Sequence, residues 1–237
     1  MLSGFVLKSG SCRLACGASA MILMLFFVAC SSSENDAYKP IERDGREVEF
    51  ITTPQVAVDR MLEMCKPGKD DFVLDLGCGD GRIVITAAKK YGCRGLGYDI
   101  DPKLIQLCKE TAKRQGVDHL VEFRQQDIYE AELPKDATII TMYLYPEMNL
   151  RLLPFLQSLS DGKQVVSYQW IMPGVESHQV EKVETGDRMM PMGTIHYFKT
   201  PLLVDPDWKP KTRTPIANDF EKIKDKLKFA KSGKKKG

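Results

Sequence analysis

Phe72-Val73-Leu74-Asp75-Leu76-Gly77-Cys78-Gly79-Asp80-Gly81-Arg82 runs a short apolar segment into three alternating glycines, and Ile83, Val84 and Ala87 follow at helical spacing. An apolar run bounded by glycine reads as a buried strand, so the glycines form the turn between a strand and a helix. Glycine there lets the chain bend sharply and bring bare backbone against a ligand. Outward from this turn the sequence alternates strands over 72–76, 94–99, 120–124, 137–143 and 163–170 with helices over 80–91, 102–115 and 146–158. Such alternation builds βαβ units and a mostly parallel sheet covered by helices on both faces, an α/β fold. Gln179–Thr185 and Met192–Phe198 bring the strands to seven, as a C-terminal antiparallel hairpin on the sheet edge. A further helix precedes the first strand. Thr53 reads as its N-cap, Pro54 as its first residue, and Val56, Val58, Met61, Leu62 and Cys65 as its apolar positions before Pro67-Gly68 ends it. Asp101-Pro102 repeats the cap-plus-proline device at the helix over 102–115.

Charge around the turn limits what it can hold. The pyrophosphate of a dinucleotide needs the bare positive end of the following helix. Asp75 before the first glycine and Asp80 at the helix start would repel it, yet they suit a ligand carrying a sulfonium and an ammonium group. That favours S-adenosyl-L-methionine over NAD. Gly95-Leu96-Gly97-Tyr98-Asp99 is a second strand ending in an acid, eighteen residues past Gly81, where a carboxylate can accept from both ribose hydroxyls. Asp127 follows the third strand, in Val121-Glu122-Phe123-Arg124-Gln125-Gln126-Asp127-Ile128. Its carboxylate can accept from an adenine amino group while the Ile128 backbone donates to the ring, or it can simply cap its own loop. Three acids at the carboxyl ends of three successive strands stand where open α/β sheets bind ligands.

The region from Phe50 to about Phe198, through DLGCGDGR at 75–82, GYDIDP at 97–102, RQQDI at 124–128 and the segment Thr141 to Asn149, resembles the class I S-adenosylmethionine-dependent methyltransferases. The opening FITTP at 50–54 and YLYPEMN at 143–149 resemble more closely the group that includes the mitochondrial ATP synthase c-subunit lysine N-methyltransferase and its bacterial relatives. The resemblance implies a Rossmann-like fold and S-adenosyl-L-methionine as cofactor. It implies that Asp75, Gly77 and Gly79, with Asp80 and Gly81 in the same turn, hold the methionine end. Asp99 and the adjoining Ile100 would take the ribose, and Asp127 with Ile128 the adenine. Thr52 and Thr53 would cover the pocket. Tyr143, Pro146 and Glu147 would line the acceptor site, with Tyr143 orienting an amine and Glu147 close by as the two candidate catalytic residues. Trp170 and Tyr168, ending the fifth strand, would border that site. The acidic-Pro-Pro-aromatic motif usual in amino-group methyltransferases is absent, so the acceptor, a protein lysine or another amino group, is implied only by the closer resemblance.

The 237 residues, 43% of them apolar, suit one domain plus tails. The expected organisation is a signal peptide or membrane anchor over 1–30, a linker over 31–47, the methyltransferase domain over 48–204 and a basic tail over 205–237. Lys8 and Arg13 precede an uncharged run that ends in Phe27-Val28-Ala29-Cys30. That pattern resembles a lipoprotein signal, with Cys30 as the lipidated residue. An uncleaved anchor helix and a mistaken start codon are the alternatives. Basic residues ahead of the run place the domain outside the cytoplasm, in tension with a methyl donor made inside it, so membrane association is expected with the side left open.

Lys209 to the C-terminus holds eleven Lys or Arg against three acids, which makes that end +8 and the rest −6. The basic end reads as a solvated run, or as a contact for anionic lipid or an acidic partner. Nucleic acid is not an expected partner, because no aromatic stacking pattern accompanies the lysines. The seven cysteines include no CxxC pair, which argues against zinc or a disulfide framework; Cys65 and Cys108 read as small core residues. His178 and His196 read as packing or surface residues, no metal site is expected, and Met189, Met190 and Met192 read as core filling ahead of a substrate lip. A membrane-displayed binding module without catalysis is the rival to a methyltransferase. A nucleotide-dependent oxidoreductase is disfavoured by Asp75 and Asp80.

Overall fold

The computed structural model describes residues 41–43, 46–48, 50–205 and 207–208. The 1–30 segment with Cys30, the rest of 31–47 and the chain beyond Trp208 lie outside the described residues. Two short strands, β1 (Ile41–Arg43) and β2 (Arg46–Val48), pair antiparallel at the end of the stretch expected to be a linker and run one residue past it.

The main body follows in the order α1 (Gln55–Cys65), β3 (Phe72–Leu76), α2 (Arg82–Tyr91), β4 (Arg94–Asp99), α3 (Pro102–Arg114), β5 (Val121–Gln125), β6 (Ile139–Met142), α4 (Pro146–Ser158), β7 (Gln164–Tyr168), β8 (Gln179–Glu184) and β9 (Met192–Lys199). The strands after the glycine turn lie where the apolar runs put them, and α2 starts at Arg82 because Gly81 still belongs to the turn. The seven strands form one sheet in the order β5-β4-β3-β6-β7-β9-β8. Five are parallel, β9 is antiparallel to β7 and β8 is antiparallel to β9, so β9 alone runs against the others. Strand order reverses at β3, which has β4 on one side and β6 on the other. The crevice at the carboxyl ends of these strands is the topological switch point where such sheets take ligands.

Period-two alternation divides the strands between two apolar layers. Leu74, Leu76, Tyr98, Ile140 and Met142 pack with Leu150, Leu153 and Leu156 of α4 on one face. Val73, Ile139, Val166 and Ile195 pack with Val58, Met61 and Leu62 of α1 and Ile83 and Ala87 of α2 on the other. Burying each such large aliphatic stabilises the fold by roughly 1.5–3 kcal/mol. Helix α2 comes so close to β4 that a Cβ on Gly95 would lie 2.4 Å from Val84 Cγ1. The sheet therefore requires glycine there.

Asp101 caps α3 as expected, its Oδ1 accepting from the Lys103 N–H at 2.8 Å. Thr53 does not cap α1. The residue before that helix is Pro54, no side chain caps it, and the Pro54 carbonyl accepts from Ala57 and Val58. The proline sets the local bend one residue later than the sequence suggested, and this turns Thr53 inward. Cys65 and Cys108 are buried as expected, and none of the described cysteines is in a disulfide. The methionine expectation fails: Met189 is 89% exposed and Met192 is also exposed. They stand on the tip and the first residue of the β8–β9 hairpin, beyond the reach of the core. No helix among the described residues is long and apolar enough to cross a membrane.

Candidate active site

The turn after β3 is held from beneath by β4. The N–H groups of Gly77 and Cys78 both donate to the Tyr98 carbonyl, at 3.0 and 2.8 Å. The three glycines take φ of 79, 54 and 76°, the left-handed region that a side chain strains. Space adds a second requirement, since a Cβ on Gly77 would come within 2.8 Å of the Leu144 side chain and one on Gly79 within 2.3 Å of the Phe50 ring. The backbone of the turn is thus bare and closely covered.

Asp75 is the most constrained acid of the site. It is 2% exposed near the end of β3 and accepts from Thr141 Oγ1 at 2.7 Å through Oδ1. Its Oδ2 is buried without a hydrogen-bond partner in the protein. Burial pushes the carboxyl up to about 7; the Thr141 bond opposes this, and Asp99 and Asp80 add to it. Register pairs Asp75 with Thr141 across β3 and β6, a neighbour that sequence reading missed because strand pairing leaves no trace in a single strand.

Asp99 ends β4 with both oxygens engaged by backbone: Oδ2 accepts from Gly79 N–H at 2.8 Å and Oδ1 from Asp101 N–H at 3.0 Å. Burial raises its pKa, while those two backbone bonds work in the opposite direction. The acid at the second strand end therefore also ties that strand to the glycine turn. Ile100, half-buried, turns its carbonyl toward Gln125 Nε2 at 3.5 Å. Asp127 serves as the cap of its loop, accepting from Tyr129 N–H at 2.9 Å. The Ile128 side chain enters the core, so only its backbone can face a ligand.

Asp80 departs from its expected part. Arg82 grips it, with Nε 2.9 and 3.0 Å from the two carboxylate oxygens and Nη2 closing the pair. A carboxylate neutralised in this way contributes little to the selection of a cationic ligand. The same guanidinium donates from Nη1 to the Thr53 carbonyl at 2.8 Å. Thr53 is buried over the turn and Thr52 is exposed.

On the β6 and β7 side the crevice is aromatic. Register sets Met142 opposite Leu76 and Ser167 opposite Met142, so Tyr143 and Tyr168 follow in line from Gly77. Tyr143 meets Tyr168 edge-on at 4.9 Å between ring centres. Burial raises both phenols, Tyr168 to about 12, with Tyr143 and then Asp187 adding to its shift. Tyr145, 40% exposed, lies 6.3 Å from Trp170, 39% exposed, at the rim. Pro146 is the first residue of α4 and Glu147 lies in its first turn, half-buried. Beneath the rim the fully buried Asn149 donates to the Trp170 carbonyl at 3.3 Å, and Ser167 Oγ donates to the same carbonyl at 2.5 Å. Sequence reading also missed Asn149, whose position in YLYPEMN was its only signal.

His196 is buried with Nδ1 3.4 Å from Ser177 Oγ, and His178 Nδ1 accepts from Lys199 N–H at 3.3 Å. Among the described residues no group of His, Cys, Asp and Glu could hold a metal ion.

Known proteins resemble this chain in sequence and in fold. The family described as ANTKMT methyltransferase domain matches residues 75–179. A protein-lysine N-methyltransferase of Saccharolobus islandicus (strain REY15A) is 37% identical over 142 residues, which is 59% of this chain and 88% of that protein. The ATP synthase c-subunit lysine N-methyltransferase of Xenopus laevis is 30% identical over 125 residues, 52% of this chain and 54% of its own length, so the chain spans about half of that relative. The crystal structure of an RNA methyltransferase from Salinibacter ruber in complex with S-adenosyl-L-homocysteine has a TM-score of 0.57 and 37% identity. That match covers 69% of this chain and 99% of the other.

Proposed function

The chain belongs to the class I S-adenosylmethionine-dependent methyltransferases, and on that premise we propose that it methylates an amino group of a protein, a lysine side chain first. The buried, unpartnered Oδ2 of Asp75 beside a bare glycine turn carries the cofactor part of the reading. An isolated buried polar atom is unfavourable unless something supplies its partner, and the ammonium of S-adenosyl-L-methionine has the matching charge. In this reading Asp75, Gly77, Gly79 and Gly81 hold the methionine end, Asp99 and Ile100 the ribose, Asp127 and the Ile128 backbone the adenine, and Thr53 covers them. Bound there, the cofactor supplies a methyl group on a sulfonium, a leaving group that requires no nucleophile from the chain.

The chain's own work is then to orient the acceptor and exclude water. Tyr143 stands next in line after the turn, walled by Tyr168. A hydroxyl there can accept from an amine and hold its lone pair toward the cleft, and Glu147 on the first turn of α4 is the carboxylate we assign to the proton an ammonium must lose. Tyr145, Pro146 and Trp170 form the mouth. Trp170→Ala is expected to raise the acceptor KM about tenfold while kcat stays within twofold, because a rim contact of this kind contributes about 1–2 kcal/mol of binding; steady-state kinetics with a protein acceptor check it.

RNA is the second reading, favoured by the Salinibacter ruber relative and by exposed aromatics that could stack on bases. The charge favours protein, since the chain as far as Trp208 carries a net −6 and a phosphate backbone calls for the opposite sign. Incubating the full chain with methyl-labelled cofactor and cell extract tests the choice. Label lost to protease and recovered as methyl-lysine supports the proposal; label lost to ribonuclease transfers the acceptor to RNA.

We further propose attachment to a membrane through the N-terminal segment, on the strength of Lys8 and Arg13 ahead of the uncharged run to Cys30. The mass of the native N-terminus is expected to show a diacylglyceryl Cys30. An unmodified, water-soluble chain would contradict attachment.

A further inference from the structure

The Phe50–Pro54 segment and the Gln55 that follows it are fastened to the glycine turn and to α2 through Phe50, Thr53 and Gln55. The Phe50 ring lies directly over Gly79, so close that a Cβ on that glycine would meet Cε2 at 2.3 Å. The Thr53 carbonyl accepts from Arg82 Nη1 at 2.8 Å. Gln55, at the start of α1, donates to Thr86 Oγ1 at 3.2 Å. Of the three, only the middle one joins the strap to the turn through a charged group that is itself anchored. Asp80 holds the guanidinium from both oxygens, which leaves Nη1 aimed at Thr53 and unable to swing away. Burial of Thr53 keeps water from competing for that carbonyl.

We propose that Arg82 is a latch: a positioning residue that holds Phe50–Pro54 down on the glycine turn and so sets how long the methyl donor stays bound. The proposal rests on the reading that the donor sits at this turn. In it Asp80 acts through Arg82, fixing the latch and not touching the ligand. Lysine is a poor substitute, since one ammonium cannot grip a carboxylate with two parallel bonds and reach a third acceptor as well. Loss of the latch leaves the acid and glycine contacts in place, so its signature is faster release of the donor with little change in acceptor recognition.

The test measures release of labelled S-adenosyl-L-methionine from the full chain, chased with unlabelled S-adenosyl-L-homocysteine, and cleavage by chymotrypsin after Phe50 with no ligand present. Arg82→Ala is expected to speed release about tenfold, as loss of one charge-assisted bond implies, and to accelerate cleavage, with the acceptor KM within twofold. Phe50→Ala should speed release to a similar degree, and the double variant should be no more than about twofold faster than either single one, because both act on one strap. Arg82→Lys, which keeps the charge opposite Asp80 and so the fold, should give about threefold. Wild-type release rates and cleavage in Arg82→Ala or Arg82→Lys would overturn the latch, as would single effects that multiply in the double variant. A wild-type chain that binds no donor would instead overturn the functional reading, and the latch with it.

Discussion

Asp75→Asn is expected to weaken binding of S-adenosyl-L-methionine about 100-fold and to make the ligand-free protein more stable above neutral pH. The amide keeps the shape and can still accept from Thr141, so the sheet is undisturbed. What disappears is the charge, and a buried charge-assisted bond to an ammonium is worth enough for a loss of that size. The stability follows from linkage. Burial raises the Asp75 carboxyl to about 7 in the folded chain, against about 3.9 when unfolded. Between those values the folded state binds more protons than the unfolded one, so stability falls as pH rises through the window. Above it the penalty is complete, on the order of 4 kcal/mol. Asp75→Asn removes that penalty, and denaturant melts from pH 4 to pH 8 should show its slope flattened. Cofactor affinity in the wild type should rise with pH up to about 7, because the ammonium binds the ionised carboxylate. A variant that binds the cofactor as tightly as wild type would remove Asp75 from the ligand.

Tyr143→Phe is expected to lower kcat on the order of 100-fold with cofactor affinity unchanged. Phenylalanine fills the same space against Tyr168, so the wall survives and only the hydroxyl is lost. Misplacing an acceptor atom by about 1 Å is enough for an effect of this size in an in-line transfer. Single-turnover rates with a saturating protein acceptor give the cleanest reading, because release of product does not enter them. Full turnover in Tyr143→Phe would remove the hydroxyl from the mechanism and leave Tyr143 as wall alone.

Much of the fold was legible because its signals are local. The apolar run 72–76 and the glycines after it place β3 and the turn, and Asp101-Pro102 places the start of α3. The three acids at strand ends were legible for the same reason. Relations between distant segments were not. The Thr141 bond to Asp75, the Arg82 bond to the Thr53 carbonyl and the Phe50 ring over Gly79 join residues that no short spacing connects. The charge reading failed on a local relation instead, since it counted Asp80 as an open acid when a residue two places along neutralises it. Thr53 shows the same limit on a smaller scale: its type suits a cap, but the backbone turns it under α1, where its carbonyl meets Arg82.

Calorimetric titration of the full chain with S-adenosyl-L-homocysteine and, separately, with NAD bears most directly on the crevice beside Asp75. One saturable site for the first ligand and no heat of binding for the second is the predicted result. Saturable binding of NAD, or no binding of S-adenosyl-L-homocysteine, would contradict it.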